Sequence, residues 1–162
     1  MAFAGQNISR PDNPLFHAKQ SLGPGVFIPL ADSPILALPL DTVKVSAGFP
    51  SPATDYEDKR LDINAYLVRN PVSTFFFPVR GDSMQGADIF DGDILVVDKS
   101  IPARHGHIVV AFVIGERLVK RLSRQGGKVS LVAENPNYPS IDITEEMDMT
   151  VWGVVVGKFK RL

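Results

Sequence analysis

From residue 73 onward, apolar residues are concentrated in short segments that Gly, Asp and Asn separate. The short length of these segments and their abundance of β-branched and aromatic residues predict β-strands. Gly115 sits in a tight connection between the third and fourth segments, so these two should form a hairpin. Pro78 indicates an edge strand or a bulge. The predicted strands are 73–79, 93–99, 107–114, 117–123, 128–134 and 150–159.

The first third of the chain has a different pattern. Five prolines interrupt residues 1–37, which predicts a flexible arm with no regular helix and so no helix-turn-helix domain. Residues 43–47 alternate and predict an extended segment that ends at Ala47-Gly48. Residues 61–70 predict one short amphipathic helix. We therefore expect a mostly antiparallel β domain over 49–162, preceded by a long N-terminal arm.

Composition and charge exclude several classes of protein. The 162 residues include no cysteine, which favours an intracellular compartment over a small secreted scaffold. No apolar run approaches the ~20 residues that span a bilayer, and the first 20 residues lack a signal-peptide core. The net charge is −1 without a basic block, so the sequence predicts no surface for direct binding of nucleic acid.

The segment "VRGDSM" has two interpretations. Arg80-Gly81-Asp82 spells a tripeptide of adhesive proteins, which act outside cells. Alternatively, Gly81 allows a tight turn that presents Ser83 as a nucleophile. Asp82 or Ser83 could cap a helical turn starting at Met84, where backbone N–H groups can hold a developing oxyanion. A serine nucleophile also needs a base.

Histidine and lysine are the candidates for that base. No histidine lies in an obvious triad arrangement, since His105 and His107 flank Gly106 in a predicted surface turn. The sequence shows no third ligand that would complete a metal site with these two histidines. Lys120 shares a strand face with Leu118 and Leu122. If this face is buried, the lysine pKa falls and the neutral amine can accept a serine proton. If it is not, Lys120 is an ordinary solvated lysine.

A resemblance to a known family favours the interpretation of Lys120 as a buried general base. The segments "GFPSPATDYEDKRLDINAYL", "GDSM", "DGDILVVDKSIPARHGHIVVAFVIGERLVKRL" and "NPNYPSIDI" are similar to the UmuD-type branch of the LexA-like self-cleaving serine peptidases. The resemblance implies a single curled antiparallel β domain with one or two short helices. It also implies a catalytic dyad of Ser83 and Lys120, with Gly81, Asp82 and Met84 shaping the site.

The same resemblance implies self-cleavage between Ala47 and Gly48. Residues 1–47 would then be a removable arm, and residues 48–162 the peptidase domain. Alanine at position 47 is typical of LexA-type repressors, whereas UmuD-type proteins usually carry cysteine there. The arm is also longer than expected for that branch.

The function implied is cytoplasmic and belongs to the SOS response to DNA damage. A RecA filament on single-stranded DNA would stimulate cleavage, and the product would join a Y-family polymerase subunit of the UmuC type in translesion synthesis. The resemblance also implies a homodimer and no metal or organic cofactor. The alternatives are a LexA-like repressor, a signal-peptidase relative and a non-catalytic polymerase-binding module of the same fold. The predicted lack of a helix-turn-helix and of a membrane span disfavours the first two.

Overall fold

The structure is a computed structural model that describes residues 35–40 and 59–162. Within these ranges strands dominate, which confirms the mostly β prediction. The helical segments are α1 (Ile63–Leu67) and a 3-10 helix (Gln85–Ala87). The strands are β1 (Ala37–Leu40), β2 (Lys59–Asp62), β3 (Thr74–Pro78), β4 (Ile94–Asp98), β5 (Ile108–Val113), β6 (Glu116–Gln125), β7 (Lys128–Val132), β8 (Ile141–Ile143) and β9 (Met149–Phe159).

Seven of the strands form one antiparallel sheet in the order β3-β4-β9-β5-β6-β7-β8. The long strand β9 pairs with β4 on one side and β5 on the other, and its register shifts once on each side. Trp152 and Val156 are the extra residues at these shifts. Because a bulge bends its strand and increases the local twist, two bulges in the interior strand β9 curl the sheet.

The structure confirms the predicted hairpin and the predicted edge. β5 and β6 pair from Val113↔Glu116 onward. Ile114 and Gly115 have φ values of 49° and 80°, the left-handed conformations that a two-residue hairpin turn requires. Pro78 lies in β3, which pairs only with β4 in this sheet, so its missing N–H costs no ladder hydrogen bond.

Three strands were not predicted. β1 contains Pro39 and β2 reads Lys-Arg-Leu-Asp, and neither has the pattern of a half-buried strand. They pair with each other as a separate two-stranded sheet, from Ala37↔Asp62 to Leu40↔Lys59. β8 has only three residues, too few for a period to show. The extended segment predicted over 43–47 lies outside the described residues.

The predicted helix exists but is shorter than residues 61–70. Asp62 caps it, since its carboxylate accepts the N–H groups of Asn64 at 2.8 Å and Ala65 at 3.3 Å. Leu61 and Asp62 belong instead to β2, where pairing with β1 overrides the helical period. In the part of the chain that the structure describes, no helix is long and apolar enough to cross a lipid bilayer.

Buried apolar side chains form two clusters. In the first, Phe75 and Phe77 pack edge-on against Trp152, each with ring centroids 4.7 Å apart. The second surrounds the fully buried Leu122 and Leu131 and also includes Val109 and Val154. Burying each such side chain contributes about 1.5–3 kcal/mol. β6 presents its inward face to the second cluster, and Lys120 lies on that face.

Candidate active site

The structure brings Ser83 and Lys120 together from positions 37 residues apart in the chain. The Lys120 Nζ lies 2.6 Å from the Ser83 Oγ, and it also donates to the Val119 carbonyl oxygen at 3.1 Å. Ser83 is half-buried and precedes the 3-10 helix, whereas Lys120 projects from the middle of β6. An amine at hydrogen-bond distance from a serine hydroxyl is the geometry that a general base requires.

Lys120 is buried on the strand face that it shares with Leu118 and Leu122, which is the first of the two alternatives that the sequence left open. Its side chain is 7% exposed, and it pairs across the ladder with the fully buried Val109. Burial lowers the pKa of the Lys120 ammonium below its usual range, because the charged form loses water. Among the described residues no carboxylate forms an ion pair with Lys120 to oppose this shift.

The loop that carries Ser83 is braced by the Asp91-Gly92-Asp93 turn. The Gly81 N–H donates to the Asp91 carboxylate at 2.8 Å, and Gly81 has a φ of 93°, a conformation that favours glycine. The Val79 N–H donates to the Asp93 carbonyl oxygen at 2.8 Å. On the other side of the serine, Met84 is 1% exposed and packs in the first apolar cluster. Gly81 and Met84 therefore fix the two ends of the loop around Ser83.

The predicted side-chain cap of the turn after Ser83 is wrong. Met84 stands at the N-terminus of the 3-10 helix, and no side chain caps it there. The Asp82 carboxylate accepts the Tyr138 hydroxyl instead, and the Ser83 hydroxyl bonds to Lys120. The turn is held by the backbone, since the Gln85 N–H donates to the Asp82 carbonyl oxygen at 3.2 Å.

The segment Glu134–Tyr138 contacts the serine loop, and no role in the site was predicted for it. The Glu134 N–H donates to the Ser83 carbonyl oxygen at 2.9 Å, and the Glu134 carbonyl oxygen accepts the Gly86 N–H at 2.7 Å. A Cβ on Gly86 would lie 2.4 Å from that carbonyl oxygen, so only glycine fits. The signal in the sequence was the motif "NPNYPSIDI", which carried the resemblance without an assigned function.

Arg121, next to Lys120, reaches the same segment from β6. Its Nε forms a salt bridge with the Glu134 carboxylate, and its Nη1 donates to the Gly106 carbonyl oxygen at 2.7 Å. This side chain therefore links the turn before β5 to the segment that holds the serine loop.

The two histidines stabilise the turn before β5. His105 Nδ1 accepts the Arg124 N–H at 3.1 Å, and His107 Nδ1 accepts the Arg104 N–H at 3.3 Å. His105 is exposed and His107 half-buried. Within residues 35–40 and 59–162, no three His, Cys, Asp or Glu side chains are grouped so that they could hold a metal ion. Ala47 and Gly48 lie outside the described residues.

Comparison with protein families and curated proteins gives matches over most of the chain. Residues 39–156 match the family described as Peptidase S24-like. Protein MucA of Salmonella typhimurium is 42% identical over 124 residues, which cover 76% of this chain and 84% of MucA. Protein SamA of the same species is 44% identical over 117 residues, which cover 72% of this chain and 81% of SamA.

A repressor is also among the similar proteins. The LexA repressor of Ectopseudomonas mendocina is 40% identical over 119 residues, which cover 73% of this chain but 58% of the repressor. The matched family segment includes both Ser83 and Lys120.

Proposed function

Since the chain belongs to the Peptidase S24-like family and is a UmuD-like protein, we propose that Ser83 and Lys120 are its catalytic dyad. The observation that carries this proposal is the 2.6 Å contact between the Ser83 Oγ and the Lys120 Nζ. The lowered pKa of Lys120 supports it, because a neutral amine at neutral or mildly alkaline pH is the form that can accept a proton.

The reaction proposed is hydrolysis of a peptide bond in the protein itself. The Ser83 Oγ attacks the carbonyl carbon of Ala47, and its proton passes to the Lys120 Nζ. The C–N bond to Gly48 breaks, the lysine returns the proton to the departing amine, and Ala47 remains as an ester on Ser83. Water, deprotonated by Lys120, then attacks the ester carbonyl carbon, the bond to the Ser83 Oγ breaks, and the Lys120 ammonium returns the proton to that oxygen. The products are residues 1–47 with a free carboxylate and residues 48–162 with a new N-terminal glycine.

Two features support Ala47-Gly48 as the scissile bond. Alanine suits a narrow pocket, and glycine allows close approach of the backbone to a catalytic cleft. In addition, the bond lies within residues 41–58, the segment that joins the paired strands β1 and β2. The alternating pattern of residues 43–47 predicts an extended backbone just before this bond, and an extended backbone is the form in which a substrate pairs with a cleft.

The biological role proposed is that of a regulated accessory protein in the SOS response. A RecA filament on single-stranded DNA stimulates the cleavage. Residues 48–162 then act as a homodimer with a Y-family polymerase subunit of the UmuC type in error-prone translesion synthesis. Removal of a segment by proteolysis would be the switch. The dyad chemistry requires no metal or organic cofactor.

The test is mass spectrometry of the intact purified protein after incubation at alkaline pH, with Ser83→Ala as the blank. We expect a fragment that begins at Gly48, formed faster when RecA, a nucleoside triphosphate and single-stranded DNA are present. A fragment that begins elsewhere would refute the assigned bond. A chain that stays intact under both conditions would favour the non-catalytic polymerase-binding module.

A further inference from the structure

Both peptide groups that flank the Ser83 α-carbon are held by their carbonyl oxygens. The Asp82 carbonyl oxygen accepts the Asn135 Nδ2 at 3.1 Å, and the Ser83 carbonyl oxygen accepts the Glu134 N–H at 2.9 Å. The two donors are adjacent in the chain. Tyr138 adds a third contact through its hydroxyl, which donates to the Asp82 carboxylate. The segment Glu134–Tyr138 thus hydrogen-bonds to the backbone on both sides of Ser83.

Holding a carbonyl also fixes an N–H. A trans peptide group is planar, and its N–H points away from its C=O. The Asp82 carbonyl and the Ser83 N–H belong to one such group, so Asn135, together with the Gln85 N–H that donates to the same oxygen at 3.2 Å, sets the direction of the Ser83 N–H. In the part of the chain that the structure describes, that N–H has no hydrogen-bond acceptor. It is free to donate to a group that arrives at the serine, such as the oxyanion formed when Ser83 attacks a carbonyl.

The Asn135 side chain is built into the fold for this contact. It is 2% exposed, and its Oδ1 accepts the Asn137 N–H at 3.0 Å, which fixes the orientation of the amide. With the oxygen so engaged, the Nδ2 is directed at the Asp82 carbonyl oxygen. A buried amide is held rigidly when its oxygen accepts one hydrogen bond and its nitrogen donates another, because leaving either group unpaired would cost about 1–3 kcal/mol.

We propose that Asn135 is a positioning residue for the reaction, which aims the Ser83 N–H at the developing oxyanion by holding the Asp82 carbonyl. The inference rests on the proposed function, since an oxyanion forms only if Ser83 attacks a carbonyl. Asn135 itself touches neither the substrate nor Lys120 in this role. It acts through the Asp82–Ser83 peptide group.

The experiment measures the rate of self-cleavage of the full chain from pH 7 to pH 11 for the wild type, Asn135→Ala and Asn135→Leu. Leucine keeps the branched heavy-atom skeleton of asparagine, with methyl groups in place of the amide, so it removes the donor where alanine leaves a cavity that unfolds the protein. Asn137→Ala is the matched control: Asn137 is exposed, and only its backbone N–H bonds to Asn135. Thermal unfolding of each variant is recorded in parallel.

We expect both Asn135 variants to cleave about ten- to a hundredfold more slowly at every pH, with the midpoint of the pH profile unchanged. The Asn137→Ala rate should equal that of the wild type. The unchanged midpoint matters because a general loosening of the core would hydrate Lys120 and move the midpoint to higher pH. Such a shift, or a wild-type rate in both variants, overturns the inference while leaving the dyad in place. Failure of the wild type itself to cleave refutes the proposed function, and the inference with it.

Discussion

Lys120 and Lys158 lie on strands of one sheet, yet their surroundings shift their pKa values in opposite directions. Lys120 on β6 is buried against a hydroxyl and a carbonyl oxygen, and burial lowers its pKa. Lys158 on β9 is half-buried and donates to the Asp93 carboxylate at 3.0 Å, with the Asp88 carboxylate 3.2 Å away. The hydrogen bond to Asp93 is the main cause of the raised pKa of Lys158.

The difference shows what turns a lysine into a base. Loss of water destabilises any ammonium group, and a nearby carboxylate more than offsets that loss at Lys158. At Lys120 the partners are uncharged, so nothing offsets it. A lysine base therefore needs burial together with the exclusion of acidic neighbours. The inward face of β6 supplies this, because its neighbours are Leu118 and Leu122.

The comparison is tested most strongly by fixing the charge of Lys120. Arginine stays protonated at every working pH, so Lys120→Arg should lower the rate of self-cleavage roughly 10⁴-fold or more, as Ser83→Ala should. Lys158→Arg, which keeps the charge beside Asp93, is the control and should cleave within a fewfold of the wild-type rate. Gel densitometry of time courses measures all three. A normal rate for Lys120→Arg would mean that another group is the base.

Replacement of Asp93, the carboxylate that pairs with Lys158, should change the free energy of unfolding rather than the rate of cleavage. Burial alone would raise the pKa of Asp93, but hydrogen bonds from the Phe90 N–H and from Lys158 outweigh it and lower that pKa. Stability from this carboxylate is therefore present above its unfolded pKa of about 3.9 and is lost as the pH falls through the lower folded value. Asp93→Asn should reduce the free energy of unfolding by about 1–3 kcal/mol at pH 7.

Urea unfolding at pH 7 and pH 3 measures this effect. The difference between the Asn variant and the wild type should shrink at pH 3, because this pH lies below the unfolded pKa of about 3.9 and the unfolded wild-type carboxyl then binds a proton more readily than the folded one. Asp142→Asn is the control, since the Asp142 carboxylate is exposed and accepts only the Ser130 hydroxyl at 2.8 Å. Equal losses for Asp93→Asn and Asp142→Asn would show that the buried pair has no special role.

The smallest effect should come from placing a carboxylate near Lys120. Leu118 is half-buried, two residues before Lys120 on the same strand face, so a glutamate there can keep contact with water. Leu118→Glu should raise the Lys120 pKa by about one unit. Cleavage would then be about tenfold slower below the midpoint and unchanged well above it. The pH profile of the rate measures this, with Leu118→Gln as the uncharged control. Identical profiles for Glu and Gln would contradict a titrating Lys120.

The sequence predicts the parts of the site that depend on local periodicity. A period of two placed Lys120 between two leucines on one face of β6, and the structure shows that this face is buried, which the period alone left open. Segments rich in β-branched and aromatic residues, separated by turn residues, located the strands that make up most of the large sheet. The contacts around Ser83 depend instead on tertiary structure. Asn135 is 53 residues from Asp82, and Tyr138 is 56 residues from it.

The prediction of a side-chain cap after Ser83 was also wrong because of contacts between residues that are distant in the sequence. A local rule assigned the side chain of Asp82 or Ser83 to the turn that follows, but in the folded chain the distant Tyr138 hydroxyl bonds to the Asp82 carboxylate and the distant Lys120 to the Ser83 hydroxyl. The pairing of β1 with β2 was likewise not predicted, because each strand has four residues, and their period gives no signal without the partner.

The short sheet of β1 and β2 would make cleavage of the chain effectively irreversible. While the chain is whole, residues 41–58 tether the two strands and keep β1 at a high effective concentration beside β2. Hydrolysis between Ala47 and Gly48 would remove the tether, and a ladder of four residue pairs is too short to retain a free strand in water. The departing peptide would then be diluted beyond recapture. Resynthesis of the bond would need the new C-terminus at Ala47 and the new N-terminus at Gly48 to meet again, so cleavage would not be reversed.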